Sequence, residues 1–254
     1  MNFIVKLADK YIEINSIHDE LKIFLKDYLV SSDAETDFSI SLTMEDILRE
    51  QEATSDTPFS LTYLETLALL RKLAEKMPSY QRMLIHGASI SYGEQAYLFT
   101  APSGTGKSTH IRLWKKYLGD DVKIVNGDKP FISLENEPII YGSPWAGKEN
   151  WHKNCQMPLK AICFVQRGTE NSIKKLEASD CLPLLFKQVY LPSDTTAAGL
   201  TLELMDALLK KVSLYILTCD MSEAAVRCSF ETLTGLSYPT KRGCKKTPLT
   251  KKQL

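Results

Sequence analysis

The sequence of 254 residues predicts an α/β fold, in which a core with a large mixed sheet follows a small α+β lobe. Three observations support this prediction. Strand-like apolar runs and helical patterns alternate through the second, larger part of the chain. A glycine-rich segment lies between one of those strands and the helix that follows it. Residues 1–80 mix short strand patterns with two helical ones.

The small α+β N-terminal lobe is predicted over residues 1–80. Residues 4–14 alternate loosely between apolar and polar side chains, which is typical of a strand pair, and residues 38–42 alternate in the same way. Apolar residues recur at helical spacing over residues 19–29 and over residues 63–77, where a proline ends the second pattern.

The core is predicted over residues 81–238. Residues 83–90 and 96–100 are apolar runs on either side of a Ser-Tyr-Gly-Glu turn, which predicts two strands joined tightly, and a short helix is expected over residues 109–117. Further strand-like runs occupy residues 122–125, 130–134, 139–141, 159–165 and 213–218, and helical patterns occupy residues 200–212 and 222–233. This order of elements indicates a large mixed sheet.

The composition limits the classes of function. Basic and acidic residues number 31 each, so the formal net charge is zero and no overall field attracts nucleic acid or an anionic membrane. The apolar runs are too short for a membrane span, and the first residues lack the pattern of a signal peptide. The six cysteines form no Cys-x-x-Cys pair, which favours reduced thiols. We therefore expect a cytoplasmic protein that binds neither nucleic acid nor membrane. The number of subunits stays open, a homo-oligomer included.

The last residues, 239–254, contain six basic side chains and no acidic one. This composition predicts a basic flexible tail, in preference to an arm that docks on an acidic partner.

Residues 101–108 read Ala-Pro-Ser-Gly-Thr-Gly-Lys-Ser, the pattern of a phosphate-binding loop, and we call them the glycine loop. In such a loop backbone N–H groups and the N-terminus of the next helix hold the phosphates, the lysine bridges the β- and γ-phosphates, and the hydroxyl after it completes a Mg²⁺ shell. The expected nucleotide-binding residues are Ser103, Gly104, Thr105, Gly106, Lys107, Ser108 and Thr109. Ala101 stands in the first glycine position, where a positive φ would cost an alanine on the order of 1 kcal/mol.

Two short segments flank the glycine loop in sequence. His86-Gly87 precedes it by one strand-turn-strand unit, and Asn126-Gly127-Asp128 follows the loop helix at the end of a strand. A carboxylate at a strand end after a phosphate loop can reach Mg²⁺ or a hydroxyl nucleophile. Asp128 is therefore a candidate for both roles, and Ser108 and Asp128 are the candidate metal ligands.

At these residues the sequence resembles the catalytic domain of HPr kinase/phosphorylase and its relatives in the phosphoenolpyruvate-carboxykinase-like superfamily. The likeness runs from His86 through the glycine loop to Asp128, and then through residues 141–148 and 159–167. It implies a P-loop kinase core of that type. It also implies ATP and Mg²⁺ as cofactors, and catalytic roles for His86 and Asp128 beside Lys107.

The sequence departs from the family's pattern in two respects. Gly127 stands where the family has the first of two acidic residues, so Asp128 is the one carboxylate left to accept a proton. The N-terminal lobe is also short. Both departures favour the compact relatives that phosphorylate other proteins or peptides, including the kinases that tailor peptide natural products. We therefore expect transfer of the γ-phosphoryl group to a hydroxyl, foremost a serine of a protein or peptide.

Further side chains near these segments are candidates for supporting roles. Lys148 and Arg167 could clamp phosphate charge in the transition state, and Glu149 could supply a second metal contact. Trp145 and Trp151 could shelter a peptide, although aromatic residues in such a segment more often pack beneath it.

Three other functions stay open from the sequence. The glycine loop also looks like that of guanylate kinases, which would make the protein a nucleotide or small-molecule kinase, although their loop lies near the N-terminus. A transporter-type ATPase is less favoured, because the chain has no Leu-Ser-Gly-Gly-Gln segment. Gly127 beside Asp128 is compatible with a non-catalytic protein that senses nucleotide.

Overall fold

The structure is a computed structural model that describes residues 1–53 and 58–239. The strands are β1 (Asn2–Leu7), β2 (Lys10–Asn15), β3 (Phe38–Ser41), β4 (Arg82–Leu84), β5 (Ala88–Tyr92), β6 (Gln95–Thr100), β7 (Val122–Asn126), β8 (Phe131–Ser133), β9 (Ile139–Tyr141), β10 (Gln156–Arg167), β11 (Ser172–Lys175) and β12 (Ser213–Cys219). The helices are α1 (Glu20–Phe24), α2 (Met44–Ala53), α3 (Leu61–Lys76), α4 (Lys107–Leu118), α5 (Ala178–Phe186), α6 (Thr195–Lys211) and α7 (Glu223–Thr234). The predicted mixed α/β architecture is confirmed.

The first sheet has three strands. β1 and β2 form the predicted antiparallel pair, and β3 adds to β2 in parallel. Ala8 and Asp9 both have positive φ in the turn between β1 and β2, the backbone that a two-residue hairpin turn requires. α3 buries Leu69 and Leu73 in a cluster that also contains Leu84 of β4. The lobe therefore shares its core with the second sheet, and its predicted boundary at residue 80 stays a prediction.

Among the described residues the second sheet has nine strands, and the long strand β10 joins its two branches. The first three residues of β10 pair with β9, which continues through β8 to β4, all antiparallel. The rest of β10 pairs in parallel with β6 on one side and β12 on the other. Because β6, β10 and β12 are parallel, their carboxyl ends meet at one edge of the sheet. The glycine loop follows β6 at this edge.

The prediction of one continuous strand over residues 83–90 was wrong. β4 ends at Leu84 and pairs with β8, whereas β5 begins at Ala88 and pairs with β6 and β7. The chain bends between the two at His86 and Gly87. A Cβ on Gly87 would lie 2.7 Å from Leu98 Cδ1, so the close approach of the bend to β6 requires glycine. His86 consequently lies in a link between two branches of the sheet and not within a strand.

Sequence patterns did not predict α2, α5 or β11. Within α2 Ile47 is the one buried residue, so the helix lacks an apolar face wide enough to detect. α5 contains Pro183, a residue that usually argues against a helix interior. β11 is a short strand of mostly exposed residues that pairs with β12.

The helices of residues 1–53 and 58–239 include none with both the length and the apolar character that a bilayer crossing needs. The predicted basic tail, residues 239–254, lies outside the described residues except for its first residue.

Candidate functional site

The glycine loop leaves the carboxyl end of β6 and leads into α4, as the sequence predicts for this segment. Gly104 and Gly106 have φ values of 76° and 127°, a backbone region that residues with a Cβ rarely adopt. Lys107 is the first residue of α4, and Gly106 accepts a hydrogen bond from His110 N at 2.9 Å. Ala101 is buried and does not have a positive φ, so the expected cost of alanine at the first position does not arise.

Lys107 is the buried cation of this loop. Its ammonium donates to the Ala101 carbonyl at 2.7 Å and to the Pro102 carbonyl at 3.4 Å. Burial lowers the pKa of Lys107, and the nearby charge of Asp128 opposes that effect. The loop cation and the predicted acidic residue are therefore close enough to influence each other, although they belong to different elements.

Arg167 holds the glycine loop from the side. It is the last residue of β10, and its guanidinium donates to the Thr105 carbonyl at 3.1 Å and to the Gly104 carbonyl at 2.5 Å. The sequence suggested that Arg167 could clamp phosphate charge. In this structure it hydrogen-bonds to the loop backbone and so positions the loop. It also lines the cavity beside the loop, and its contact with phosphate stays a prediction.

A cavity of about 460 Å³ opens beside the loop at the carboxyl ends of β6, β10 and β12. The loop contributes Gly104 and Gly106, and apolar side chains of Leu113, Val165 and Met221 line another part of the wall. A largely apolar cavity of this size with a few polar groups is typical of a small-molecule site.

The acid turn, residues 126–129, follows β7 and is shaped by a buried amide. The Asn126 side-chain oxygen accepts from Asp128 N at 2.8 Å and from Lys129 N at 2.7 Å. The same amide donates to the Ser143 carbonyl at 2.8 Å. An asparagine that accepts from the backbone two and three residues later builds an Asx turn, so Asn126 fixes where Asp128 lies.

Gly127 has no room for a side chain. A Cβ at this position would lie 2.7 Å from the Ala146 carbonyl oxygen and 3.3 Å from the Trp151 carbonyl oxygen. Both neighbours are backbone atoms, which cannot move aside as a flexible side chain would. The packing around the acid turn thus leaves Asp128 as its one carboxylate.

His86 and Asp128 form a pair. His86 Nε2 lies 3.2 Å from Asp128 Oδ1, and both side chains are partly exposed, at 22% and 30%. His86 Nδ1 lies 3.1 Å from Gln188 Oε1, and His86 N donates to the Gln188 carbonyl at 2.7 Å. Gly87 N donates to the Asp128 carbonyl at 2.8 Å. Backbone and side-chain contacts therefore hold the imidazole against the carboxylate.

The electrostatics of this pair favour the ionised carboxylate. Burial alone would raise the pKa of Asp128, but the hydrogen bond from His86 and the charges of Lys129 and Lys107 outweigh it and hold the pKa below its usual 3.8. Asp128 is therefore a weak base that accepts hydrogen bonds readily.

The remaining candidates are exposed or are used by other contacts. Lys148 is exposed and makes no hydrogen bond or ion pair with a described residue, although the preceding Gly147 lies against the Asp128 side chain. Glu149 pairs with Arg112 at 2.8 Å, which disfavours the metal contact suggested for it. Trp145 is buried and donates to the Thr66 carbonyl at 3.0 Å, so it packs beneath the site. Trp151 packs against the guanidinium of Arg112 at 5.1 Å.

Sequence reasoning missed two residues that position this pair. Asn126 had a signal, because Asn-Gly-Asp after a strand is typical of an Asx turn. Gln188 had none. It lies 102 residues from His86 in the chain, and only the tertiary fold brings the two together.

No protein-family model and no curated protein matches this sequence. Among solved structures the chain is similar to the HPr(Ser) kinase/phosphatase from Coxiella burnetii, with 12% identity and a TM-score of 0.34. That match covers 60% of this chain and 93% of the other. The similarity is distant, and its TM-score supports no conclusion about activity. The function has to be inferred from the residues of this chain.

Proposed function

We propose that the protein is an ATP-dependent phosphotransferase that moves the γ-phosphoryl group to a hydroxyl, foremost a serine of a protein or peptide. The observation that carries this proposal is the convergence of two separate segments. The glycine loop supplies the buried cation Lys107, and the acid turn supplies Asp128. His86 links the two segments, because Thr100, the residue before the loop, donates to the His86 carbonyl at 2.7 Å and His86 Nε2 lies 3.2 Å from Asp128 Oδ1. A phosphate loop beside a held carboxylate is the minimum that phosphoryl transfer needs.

The reaction would use these groups as follows. The γ-phosphorus breaks its bond to the bridging oxygen, so ADP leaves, and bonds to the acceptor oxygen. The acceptor's proton passes to Asp128, and His86 keeps that carboxylate oriented. A carboxylate with a low pKa suffices, because phosphoryl transfer depends mainly on positioning and charge neutralisation.

The residues present suit Mg²⁺ and ATP. Within the described residues, His, Cys, Asp and Glu form no group of three or more that could hold a metal ion. Mg²⁺, however, usually takes one or two protein oxygens and completes its shell with phosphates and water. Ser108, in the first turn of α4, and Asp128 would supply those oxygens, and Mg²⁺ would neutralise charge on the phosphates. The cavity beside Leu113 and Met221 would take the nucleoside.

A second candidate function has one observation in its favour. Backbone atoms leave no space for a side chain at position 127, so the acid turn has a single carboxylate. A protein that binds nucleotide without catalysis could have such a site. ATP consumption by the purified protein separates the two candidates. A phosphotransferase should consume ATP in a reaction that requires Mg²⁺ and an acceptor. A sensor should bind ATP without consuming it.

The proposal is tested by incubating the purified protein with γ-labelled ATP, Mg²⁺ and serine-containing peptides. We expect label on peptide serine with the wild type and its loss with Lys107→Ala. If the wild type labels no peptide, or if Lys107→Ala labels peptides at the wild-type rate, the proposed activity is wrong.

A further inference from the structure

A second cavity, of about 390 Å³, has His86 in its wall and contains no residue of the glycine loop. Helices α2 and α3 of the lobe form one part of its wall, with residues that include Glu50 and Arg71. β4, the acid turn and residues 187–190 line the rest. The imidazole that contacts Asp128 is therefore accessible from a space between the lobe and the core, apart from the nucleotide cavity.

The wall of this cavity carries an ion-pair cluster on the lobe side and two lysines on the core side. In the cluster Arg71 pairs with Glu50 at 2.6 Å, with Asp46 at 3.1 Å and with Glu75 at 3.6 Å. The ammonium groups of Lys129 and Lys187 make no hydrogen bond or ion pair with a described residue. Lys129 adjoins Asp128 in the acid turn, and Lys187 adjoins Gln188, which holds His86. These two lysines thus line the same cavity as His86, and Lys187 is exposed.

The floor of the cavity is apolar. Leu70, Leu84 and Val189 line it, and each is buried to more than nine-tenths. An apolar floor with cations at its border suits a short peptide segment that places one side chain inward and an acidic side chain at the edge.

We propose that this cavity receives the hydroxyl acceptor and selects a serine segment that carries an acidic side chain, with Lys187 as the residue that determines this specificity. The inference rests on the phosphotransferase function proposed above and names the acceptor class of that site. It also gives the N-terminal lobe a role, since α2 and α3 form part of the acceptor wall.

Binding of labelled peptides tests the inference without any turnover. Two serine peptides carry fluorescein at the N-terminus and an amide at the C-terminus. They differ in one residue beside the serine, which is glutamate in one peptide and glutamine in the other. Fluorescence anisotropy should give a Kd about two- to fivefold lower for the glutamate peptide, as expected for one charge contact at an exposed lysine. Lys187→Arg should keep that preference, whereas Lys187→Glu should abolish or reverse it.

Lys123→Glu is the matched control, because Lys123 is an exposed lysine of β7 that does not line the cavity. It should keep the wild-type preference. Equal Kd values for the two peptides with the wild type, or an unchanged preference with Lys187→Glu, would overturn the inference.

Label transfer from ATP to the same two peptides separates this inference from the function on which it rests. Faster labelling of the glutamate peptide supports both. Labelling that ignores the charge refutes the acceptor specificity alone. Charge-dependent binding without any labelling refutes the phosphotransferase, and the acceptor role with it.

Discussion

The glycine loop and the acid turn are positioned by different kinds of contact. The loop takes its shape from its own glycines, with Gly104 and Gly106 at positive φ, and from Arg167 against its carbonyls. The acid turn takes its shape from buried tertiary contacts. Asn126 is fully buried and bonded to Ser143, and Gly127 lies against the backbone of residues 146 and 151.

The glycine loop and the acid turn are therefore sensitive to different substitutions. A loop set by local backbone preferences is sensitive to substitutions within it and to the one side chain that holds it. A turn set by packing is sensitive to added volume and to loss of a buried hydrogen bond.

The largest effect is expected for Asp128→Asn. The amide keeps the shape of the side chain but cannot accept the hydroxyl proton, so initial rates of label transfer should fall about 100- to 10,000-fold. The variant should still fold, because Asn126 holds the turn, and its thermal midpoint should fall only by the lost charge interactions of Asp128 with His86 and Lys129. A rate within a few fold of the wild type would exclude Asp128 as the base.

Gly127→Ala should destabilise the fold. The new methyl would meet the Ala146 carbonyl oxygen at 2.7 Å, and overpacking of this kind costs about 1–3 kcal/mol in the free energy of unfolding. Chemical denaturation measures it. Gly199→Ala is the control, since that glycine lies within α6 with nothing near its Cβ position, and it should stabilise by about 0.5–1 kcal/mol. Equal effects would contradict the close packing of the acid turn.

Arg167→Ala should weaken nucleotide binding through the loop. Without the guanidinium, the Thr105 and Gly104 carbonyls lose their hydrogen-bond donor. Because the side chain is exposed, we expect only about a 5- to 10-fold increase in the Kd for ATP, close to 1 kcal/mol. Calorimetric titration measures it, and Lys174→Ala, an exposed cation of β11, provides the control. An unchanged Kd would show that the loop keeps its shape without Arg167.

The smallest effect concerns pH. The Lys129 charge is one of the causes that lower the pKa of Asp128, so Lys129→Gln should move that pKa upward. Because the native pKa is depressed, the ionised carboxylate stabilises the fold above pH 3.8, and this contribution is lost as pH falls through the native value. Carbon NMR of the carboxyl group follows the titration. A downward shift would contradict the proximity of the two charges.

The parts that the sequence predicts well are those governed by neighbours in the chain. The β6–loop–α4 unit follows from an apolar run, two glycines and a helical pattern, and the structure contains it. The sequence could not predict the bend at His86, because residues 83–90 form one mostly apolar run. Only the separate strand partners, β8 for β4 and β6 for β5, divide this run in two.

The contacts around the Asp128 carboxylate could not be predicted from sequence neighbours either. Gln188 has no local pattern, and neither does the cavity that it borders with Lys187. The sequence indicated Asp128 as the acidic candidate, but it could not show why position 127 is glycine. That reason lies in Ala146 and Trp151, which reach the turn only through the fold.

The central claim is that the glycine loop grips a triphosphate through Lys107. Calorimetric titration of the wild-type protein with ATP and Mg²⁺ tests it most directly, with Lys107→Ala as the comparison. We expect saturable binding by the wild type and a Kd increased about 100-fold or more in the variant. Equal heats for the two proteins, or no binding by the wild type, would contradict it.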